Sequence, residues 1–165
     1  MNSTHKKTKK AELKQIKGSV ELITQIAALC HADLAVDVAY QAILNVLRGV
    51  VRFDAATLFL MDRRRKQLVS VATLGGVVDV LEFLPLGYGH GLPGWVAEED
   101  KPVLLQDRSH NSDFNPETDY ASVACVPLKA GDEVTGVLNV GCRRPSGITD
   151  RDVAELSAVA GLVTL

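Results

Sequence analysis

The side chains best able to do chemistry lie in a glycine-rich stretch and just after it. The stretch is Gly87–Asp107, with the sequence GYGHGLPGWVAEEDKPVLLQD. Its first five residues hold three glycines, which alternate with Tyr88 and His90, a phenol and an imidazole able to form hydrogen bonds. Glycines permit positive φ and a close approach of the backbone to a bound group. The stretch therefore predicts one wall of a small-molecule pocket; the alternative is a tight connector whose glycines serve only the turn.

Four further side chains complete the predicted pocket. Trp95 lies on the short helix after the glycines, Phe114 lies in a polar segment beyond it, and Tyr120 and Ser122 begin a later apolar strand. Loop residues need not pack in a core, which makes His90 and Phe114 the better ligand contacts, whereas Trp95 has the alternative role of a packing anchor. We predict that six side chains converge on one cavity beside the sheet: Tyr88, His90, Trp95, Phe114, Tyr120 and Ser122.

The sequence offers little for catalysis or metal binding. His90 and His110 have no second ligand at metal-binding spacing, so we predict no metal site. No Gly-Lys-Ser/Thr follows the glycines, which argues against a Walker-type phosphate loop. The three cysteines, Cys30, Cys125 and Cys142, are widely spaced and odd in number, which is typical of a reducing compartment. We therefore expect a cytoplasmic protein.

Composition and charge indicate one globular domain with a short tail. The chain has 165 residues, of which 47% are hydrophobic and 23% charged, values typical of a folded protein. No apolar run approaches the roughly 20 residues of a spanning helix, so no membrane association is predicted. Residues 1–10 hold four lysines without arginine or aromatic residues, which indicates a flexible basic tail and no nucleic-acid partner. We expect residues 11–165 to form the single domain.

Two amphipathic helices precede the strands. Apolar residues between Ala11 and Cys30 recur at heptad spacing, which predicts a helix over residues 11–31 at a dimer interface. These residues are Leu13, Ile16, Val20, Ile23, Ala27 and Cys30, with Leu22, Ile26 and Leu29 widening the stripe. We predict a parallel homodimer through the end helices; the alternative is that the first helix satisfies its stripe within its own domain. Asp33 is the expected cap of the second helix, which should end near Arg52.

The middle of the chain predicts strands, and its end a helix. Six runs have strand-like patterns: Ala56–Met61, Gln67–Thr73, Val80–Leu86, Val103–Leu105, Tyr120–Leu128 and Glu133–Gly141. Leu92–Glu99 predicts a short helix with Pro93 in its first turn, and Thr149 is the expected cap of the last helix. Strands clustered between terminal helices indicate an α+β fold with one antiparallel sheet and a helical layer.

The order and spacing of these motifs resemble the GAF domain, a small ligand-sensing module of signalling proteins. The glycine-rich loop, the short helix with Gly94 and Trp95, and the KPV strand carry part of the resemblance. FDAATLFLMD at the first strand and VPL…GDEVTGVLNVG…ITDRDVAELSAVA at the end extend it over residues 32–165. The resemblance implies a GAF-like sheet of about six strands, with dimerising terminal helices on one face. It also implies a ligand between the other face and the loops and short helices.

The resemblance further implies a non-enzymatic sensory or regulatory domain. Such a domain would bind a small, unidentified molecule and relay its presence through the terminal helices to an output domain or a partner signalling protein. One GAF branch, the free methionine-(R)-sulfoxide reductases, is enzymatic and has a cysteine where this chain has Leu92 and Pro93. That branch also has two acids where Asn139 and Gly141 stand here. A reductase is thus the less favoured alternative, beside a structural dimerisation module without a ligand, and no cofactor is assigned.

Overall fold

The structure is a computed structural model of the 165-residue chain. It describes residues 18, 20–29, 32–78, 91–110, 114–115 and 119–163. The predicted tail at residues 1–10, the predicted strand Val80–Leu86, and Tyr88 and His90 therefore lie outside the described residues. In the described ranges, no helix has the length and apolar character needed to cross a membrane.

One antiparallel sheet of five strands organises the described residues. The strands are β1 (Ala55–Asp62), β2 (Gln67–Leu74), β3 (Val103–Leu105), β4 (Ser122–Ala130) and β5 (Glu133–Cys142). Their order is β2-β1-β5-β4-β3, so the hairpin β4–β5 lies between the first hairpin and the short edge strand. This confirms the predicted α+β fold with an antiparallel sheet; the described residues contribute five strands, where about six were predicted.

Four α-helices accompany this sheet in the described ranges: α1 (residues 20–29), α2 (Val36–Arg48), α3 (Leu92–Glu99) and α4 (Asp150–Ala160). α3 has the predicted bounds, with Pro93 in the first turn, where its missing N–H costs no hydrogen bond. Thr149 caps α4 as predicted, because its hydroxyl accepts the Asp152 N–H while the Asp152 carboxylate accepts the Thr149 N–H. The prediction for Asp33 is wrong. Ala35 is the N-cap of α2 and has an extended backbone, which leaves Asp33 too far from the first free N–H groups.

The larger core lies between the sheet and α1, α2 and α4, on what we call the terminal-helix face. Because side chains alternate along a strand, every second residue of each strand points to this face. The strand residues here include Leu58, Val126, Leu128, Leu138 and Val140. The helices contribute Ile26, Ile43, Leu44, Leu47 and Leu156, whose side chains are fully buried. Apolar burial of this kind is the main stabilising contribution to a fold.

The apolar residues of the predicted stripe that lie on α1 face in two directions. Leu22 and Ile26 are buried in the terminal-helix core, and Leu29 packs against it. Val20 and Ile23 remain 57% and 38% exposed. α1 is therefore held to its own domain by one face and presents a second, apolar face outward.

Candidate functional site

The opposite face of the sheet, which we call the α3 face, is covered by α3 and by the segment after β2. α3 contributes Leu92 and Val96, which are buried, and Trp95, which is half-buried. These side chains pack on a smaller apolar cluster that includes Ala55, Phe59, Val78, Val123, Cys125 and Val137. Gly91 is the N-cap of α3 and the first residue of the predicted glycine-rich stretch that the structure describes.

Two polar side chains are fully buried in the middle of the α3 face. Thr57 of β1 and Asn139 of β5 are cross-strand partners, and neither has exposed surface. Thr57 Oγ1 accepts the Val78 N–H at 2.8 Å, and Asn139 Nδ2 donates to the Val78 carbonyl at 3.0 Å. The sheet thus satisfies both backbone groups of Val78, which fixes the chain just before residues 79–90.

Asn139 Oδ1 has no hydrogen-bond partner in the described part of the chain, although it is buried. The Val78 carbonyl can only accept a hydrogen bond, so the amide must turn Nδ2 toward it and leave Oδ1 as the free atom. A buried polar atom without a partner costs about 1–3 kcal/mol. Such an atom in a folded protein is therefore a place where a donor from a ligand or a water is expected.

Tyr120 covers the end of the α3 face beside β5. Its ring lies on Gly141, where an added Cβ would be 2.5 Å from the Tyr120 Cγ, so only glycine fits beneath it. Burial raises the pKa of Tyr120, although the nearby charge of Arg143 acts in the opposite direction. The phenol is consequently protonated at neutral pH and can donate a hydrogen bond.

The structure brings together only some of the predicted site residues. Trp95 and Tyr120 pack against the same apolar cluster on the α3 face. Ser122 does not join them, because strand alternation turns it toward the terminal-helix face. There its hydroxyl donates to the Arg144 carbonyl at 3.1 Å and accepts the Ile148 N–H at 3.2 Å. Phe114 is half-buried, and the predicted contacts of Tyr88 and His90 lie outside the described residues.

Sequence reasoning did not single out Thr57, and it treated Asn139 only as the replacement of an acid. A signal was present in both strands, since Thr57 and Asn139 each have apolar residues on both sides. What the sequence does not display is the register that places these two residues opposite each other.

The two described cysteines are packed as small apolar side chains. Cys125 is next to Asn139 in the β4–β5 register and lies on the α3 face, whereas Cys142 lies in the terminal-helix core. Burial raises the pKa of the Cys125 thiol well above its ordinary value, which favours the unreactive protonated form. Within the described ranges, no group of three or more His, Cys, Asp or Glu side chains is arranged to hold a metal ion.

Comparison with known proteins agrees with this architecture. A family model described as the GAF domain matches residues 33–165. The GAF domain of a phosphoenolpyruvate-protein phosphotransferase from Acinetobacter is 20% identical, with a TM-score of 0.69 over 92% of this chain and 90% of that chain. The corresponding domain from Coxiella burnetii is 22% identical, with a TM-score of 0.69 over 89% of this chain and 90% of that one.

A third similar structure belongs to an enzyme. Free methionine-R-sulfoxide reductase from Neisseria meningitidis, solved in complex with its substrate, is 19% identical. Its TM-score is 0.69, over 88% of this chain and 85% of that chain. A search of curated proteins finds no significant match. At these identities the solved structures show a shared fold, while the family model covers most of the sequence: the chain belongs to the GAF domain family.

Proposed function

We propose that this chain is a non-enzymatic sensory or regulatory GAF domain of the cytoplasm that binds a small molecule on the α3 face. The observation that carries the proposal is the buried Asn139 Oδ1, which has no partner in the described ranges. Ligand pockets combine apolar walls with a few polar groups that fix the orientation of the ligand. Here Trp95 and Tyr120 supply walls and Asn139 supplies an acceptor, while Tyr88, His90 and Phe114 are the proposed contacts from the loops.

The chemistry of the α3 face limits the ligand. Asn139 Oδ1 is a neutral acceptor, so it calls for an N–H or O–H donor. Thr57 and Asn139 are the buried polar side chains that the described residues place on this face, and neither carries a charge. A charged group on the buried end of a ligand would be costly there without a partner. We therefore propose a ligand whose buried end is neutral and donates a hydrogen bond.

The cysteine chemistry supports a non-enzymatic role. Reduction of a sulfoxide in the manner of the similar reductases needs a thiolate as nucleophile. Cys125 is buried, and its raised pKa opposes thiolate formation, while Cys142 is buried on the other face of the sheet. Replacement of all three cysteines should leave ligand binding intact. Reductase activity on free methionine sulfoxide that disappears in the triple variant would contradict this assignment.

Native mass spectrometry of protein purified without denaturation tests ligand binding. We expect a non-covalent mass increment that disappears on denaturation and is lost in Asn139→Leu, which keeps the branched outline of the side chain but removes the acceptor. Ser122→Ala is the matched control, because it removes a buried hydroxyl from the opposite face and should keep the increment. If the protein carries no bound molecule and no compound in a thermal-shift screen stabilises it, the structural dimerisation module is favoured instead.

We also propose that the terminal helices form a homodimer that relays ligand binding to an output domain or a partner signalling protein. Val20 and Ile23 of α1 are exposed, and a groove of about 230 Å³ separates α1 from α4. Its lining is mainly apolar and includes Leu22, Ile23, Ala154, Ala158 and Val159. A second copy of α1 would remove this surface from water.

Light scattering tests the dimer. The intact chain should be dimeric, and both removal of residues 1–30 and the substitution Ile23→Glu should yield monomers. Gln25→Glu is the control, because residue 25 is exposed on another side of α1 and the dimer should persist. A monomeric intact chain would contradict the dimer, and a dimer that survives the truncation would place the interface elsewhere.

A further inference from the structure

A second concave site lies apart from the α3 face, at the start of α4. It is a cleft of about 440 Å³ between the turn after α2 and the loop that joins β5 to α4. Three of its lining side chains are the arginines Arg52, Arg144 and Arg151. A cationic cleft is notable on a chain whose formal net charge is −2.

The acids that line the cleft already have partners. The Asp152 carboxylate accepts both the N–H and the hydroxyl of Thr149 at 2.7 Å. Glu155 accepts two hydrogen bonds from Arg151, each at 3.2 Å. Arg52 and Arg144 form no ion pair with any residue in the described ranges. Two guanidinium groups are therefore left for an anion from outside.

The loop that carries Arg144 is held in place by hydrogen bonds to a buried side chain of β4. The fully buried Ser122 hydroxyl binds the Arg144 carbonyl and the Ile148 N–H, which ties the two ends of the loop to one atom. The Gly147 N–H donates to the same carbonyl at 3.0 Å. Gly147 also lies so close to Cys142 that an added Cβ would be 2.3 Å from its sulfur, so a larger residue would displace the loop. A loop held in place loses little freedom when it binds a ligand.

We propose that this cleft binds a small organic molecule through a phosphomonoester group held between Arg52 and Arg144. Guanidinium groups form paired hydrogen bonds with phosphate oxygens. A phosphomonoester carries a charge of about −1.5 to −2 at neutral pH and offers three acceptor oxygens to the guanidinium groups of Arg52 and Arg144. The cleft has the volume of a pocket for an organic ligand, so it has room for more than the phosphoryl group. Val50 offers an apolar contact for that remaining part.

The cleft and the α3 face would thus select different chemistry. The first presents unpaired positive charge at the protein surface, and the second a neutral acceptor in an apolar interior. The phosphomonoester proposal does not depend on a ligand at Asn139, and either can fail alone.

Isothermal titration calorimetry with adenosine monophosphate and glucose 6-phosphate tests the proposal, with adenosine, glucose and inorganic phosphate as controls. We expect saturable binding of at least one ester, weaker binding of inorganic phosphate, and no binding of adenosine or glucose. Arg52→Gln and Arg144→Gln should each weaken binding of the ester at least tenfold. Asn139→Leu should leave its affinity unchanged. Both arginines are exposed, so these variants should keep the melting temperature of the parent protein.

Arg64→Gln is the matched control for charge, because Arg64 is exposed in the turn between β1 and β2 and forms no ion pair with the described residues. It should bind the ester like the parent protein. Failure of both esters to bind saturably would overturn the proposal. So would an equal loss of affinity in Arg64→Gln, which would indicate general charge attraction. Equal affinity for inorganic phosphate and both esters would also overturn it, because the cleft would then recognise only the anion.

Discussion

The two faces of the sheet use the same strands for different purposes. In the middle of the terminal-helix face, Leu58 and Leu138 stand opposite each other and are completely packed. One residue away on the same strands, Thr57 and Asn139 stand opposite each other on the α3 face. The buried leucines stabilise the fold, whereas the buried polar side chains cost free energy unless each polar atom has a hydrogen-bond partner.

The two faces also differ in how the polar atoms of their buried side chains are hydrogen-bonded. Ser122, the buried polar side chain that the described residues place on the terminal-helix side, both donates and accepts a hydrogen bond. Asn139 on the α3 face uses its nitrogen and leaves its oxygen without a partner in the described ranges. The Ser122 hydroxyl on the terminal-helix face therefore has both its donor and an acceptor in use, whereas Asn139 on the α3 face can accept one more hydrogen bond. This difference is what a domain with one structural face and one ligand-binding face should show.

Leu138→Ala should produce the largest loss of stability. Leu138 is 1% exposed in the terminal-helix core, so the substitution removes buried apolar surface and leaves a cavity. We expect the free energy of unfolding to fall by about 2–5 kcal/mol, measured by urea denaturation. Val69→Ala is the control, since Val69 of β2 is 43% exposed and should change stability by less than about 1 kcal/mol. Similar losses in the two variants would break the assignment of this face as the stabilising core.

Gly141→Ala should produce the next largest effect and tests how tightly the α3 face is closed beside Tyr120. The new Cβ would lie 2.5 Å from the ring, so the ring must move or the strand must shift. Overpacking of this kind costs about 1–3 kcal/mol, measured by thermal or urea unfolding. The same substitution in a Tyr120→Ala background should cost less, because the clashing ring is gone. An equal cost in both backgrounds would show that the ring is not what excludes a side chain at position 141.

Elements whose local signals agree could be predicted from the sequence. Leu92–Glu99 and Val103–Leu105 have the expected bounds, because proline, glycine and apolar spacing define them locally. The buried face of α2 is less clearly indicated by its sequence. Its apolar residues lie on more than one side of the helix, since Val38 is 50% exposed while the neighbouring Ala39 is buried. Several apolar faces are available on such a helix, and only the packed sheet selects one.

The candidate site depends on contacts between residues far apart in the chain, which explains the part that was missed. The sequence predicts that Tyr120 and Ser122 belong to the same strand and line one cavity. The strand begins at Ser122, and its alternation sends this side chain to the terminal-helix face. Thr57 and Asn139 meet only because β1 pairs with β5, a contact that no local pattern displays. Sequence patterns therefore predict which segments of the chain surround the candidate site, but not which side chains meet there.

Ser122→Ala and Asn139→Leu should lower the free energy of unfolding by smaller amounts, and the difference between them should distinguish the two faces. Ser122→Ala leaves the Ile148 N–H and the Arg144 carbonyl with one hydrogen bond fewer, which we expect to cost about 1–3 kcal/mol. Asn139→Leu loses the bond to the Val78 carbonyl but also removes the unpaired oxygen, so it should cost less than Ser122→Ala. Urea unfolding of ligand-free protein measures both. A larger loss in Asn139→Leu would indicate that its oxygen is paired in the folded protein.

The smallest effect concerns the pH dependence that Cys125 gives to the α3 face. Burial raises the pKa of this thiol in the folded protein above its ordinary value of 9.0, which we take for the unfolded chain. Above that pH the unfolded chain releases the proton while the folded protein keeps it, so stability must fall as pH rises. A thiol that stays protonated in the folded protein would lower the free energy of unfolding by at most about 1 kcal/mol between pH 9 and 10. Urea unfolding at a series of pH values should show this decline, and Cys125→Ala should reduce it. The raised pKa of Tyr120 has the same sign and leaves a residual decline toward higher pH in the variant. An identical pH dependence in both proteins would contradict the burial of the Cys125 thiol in the folded protein.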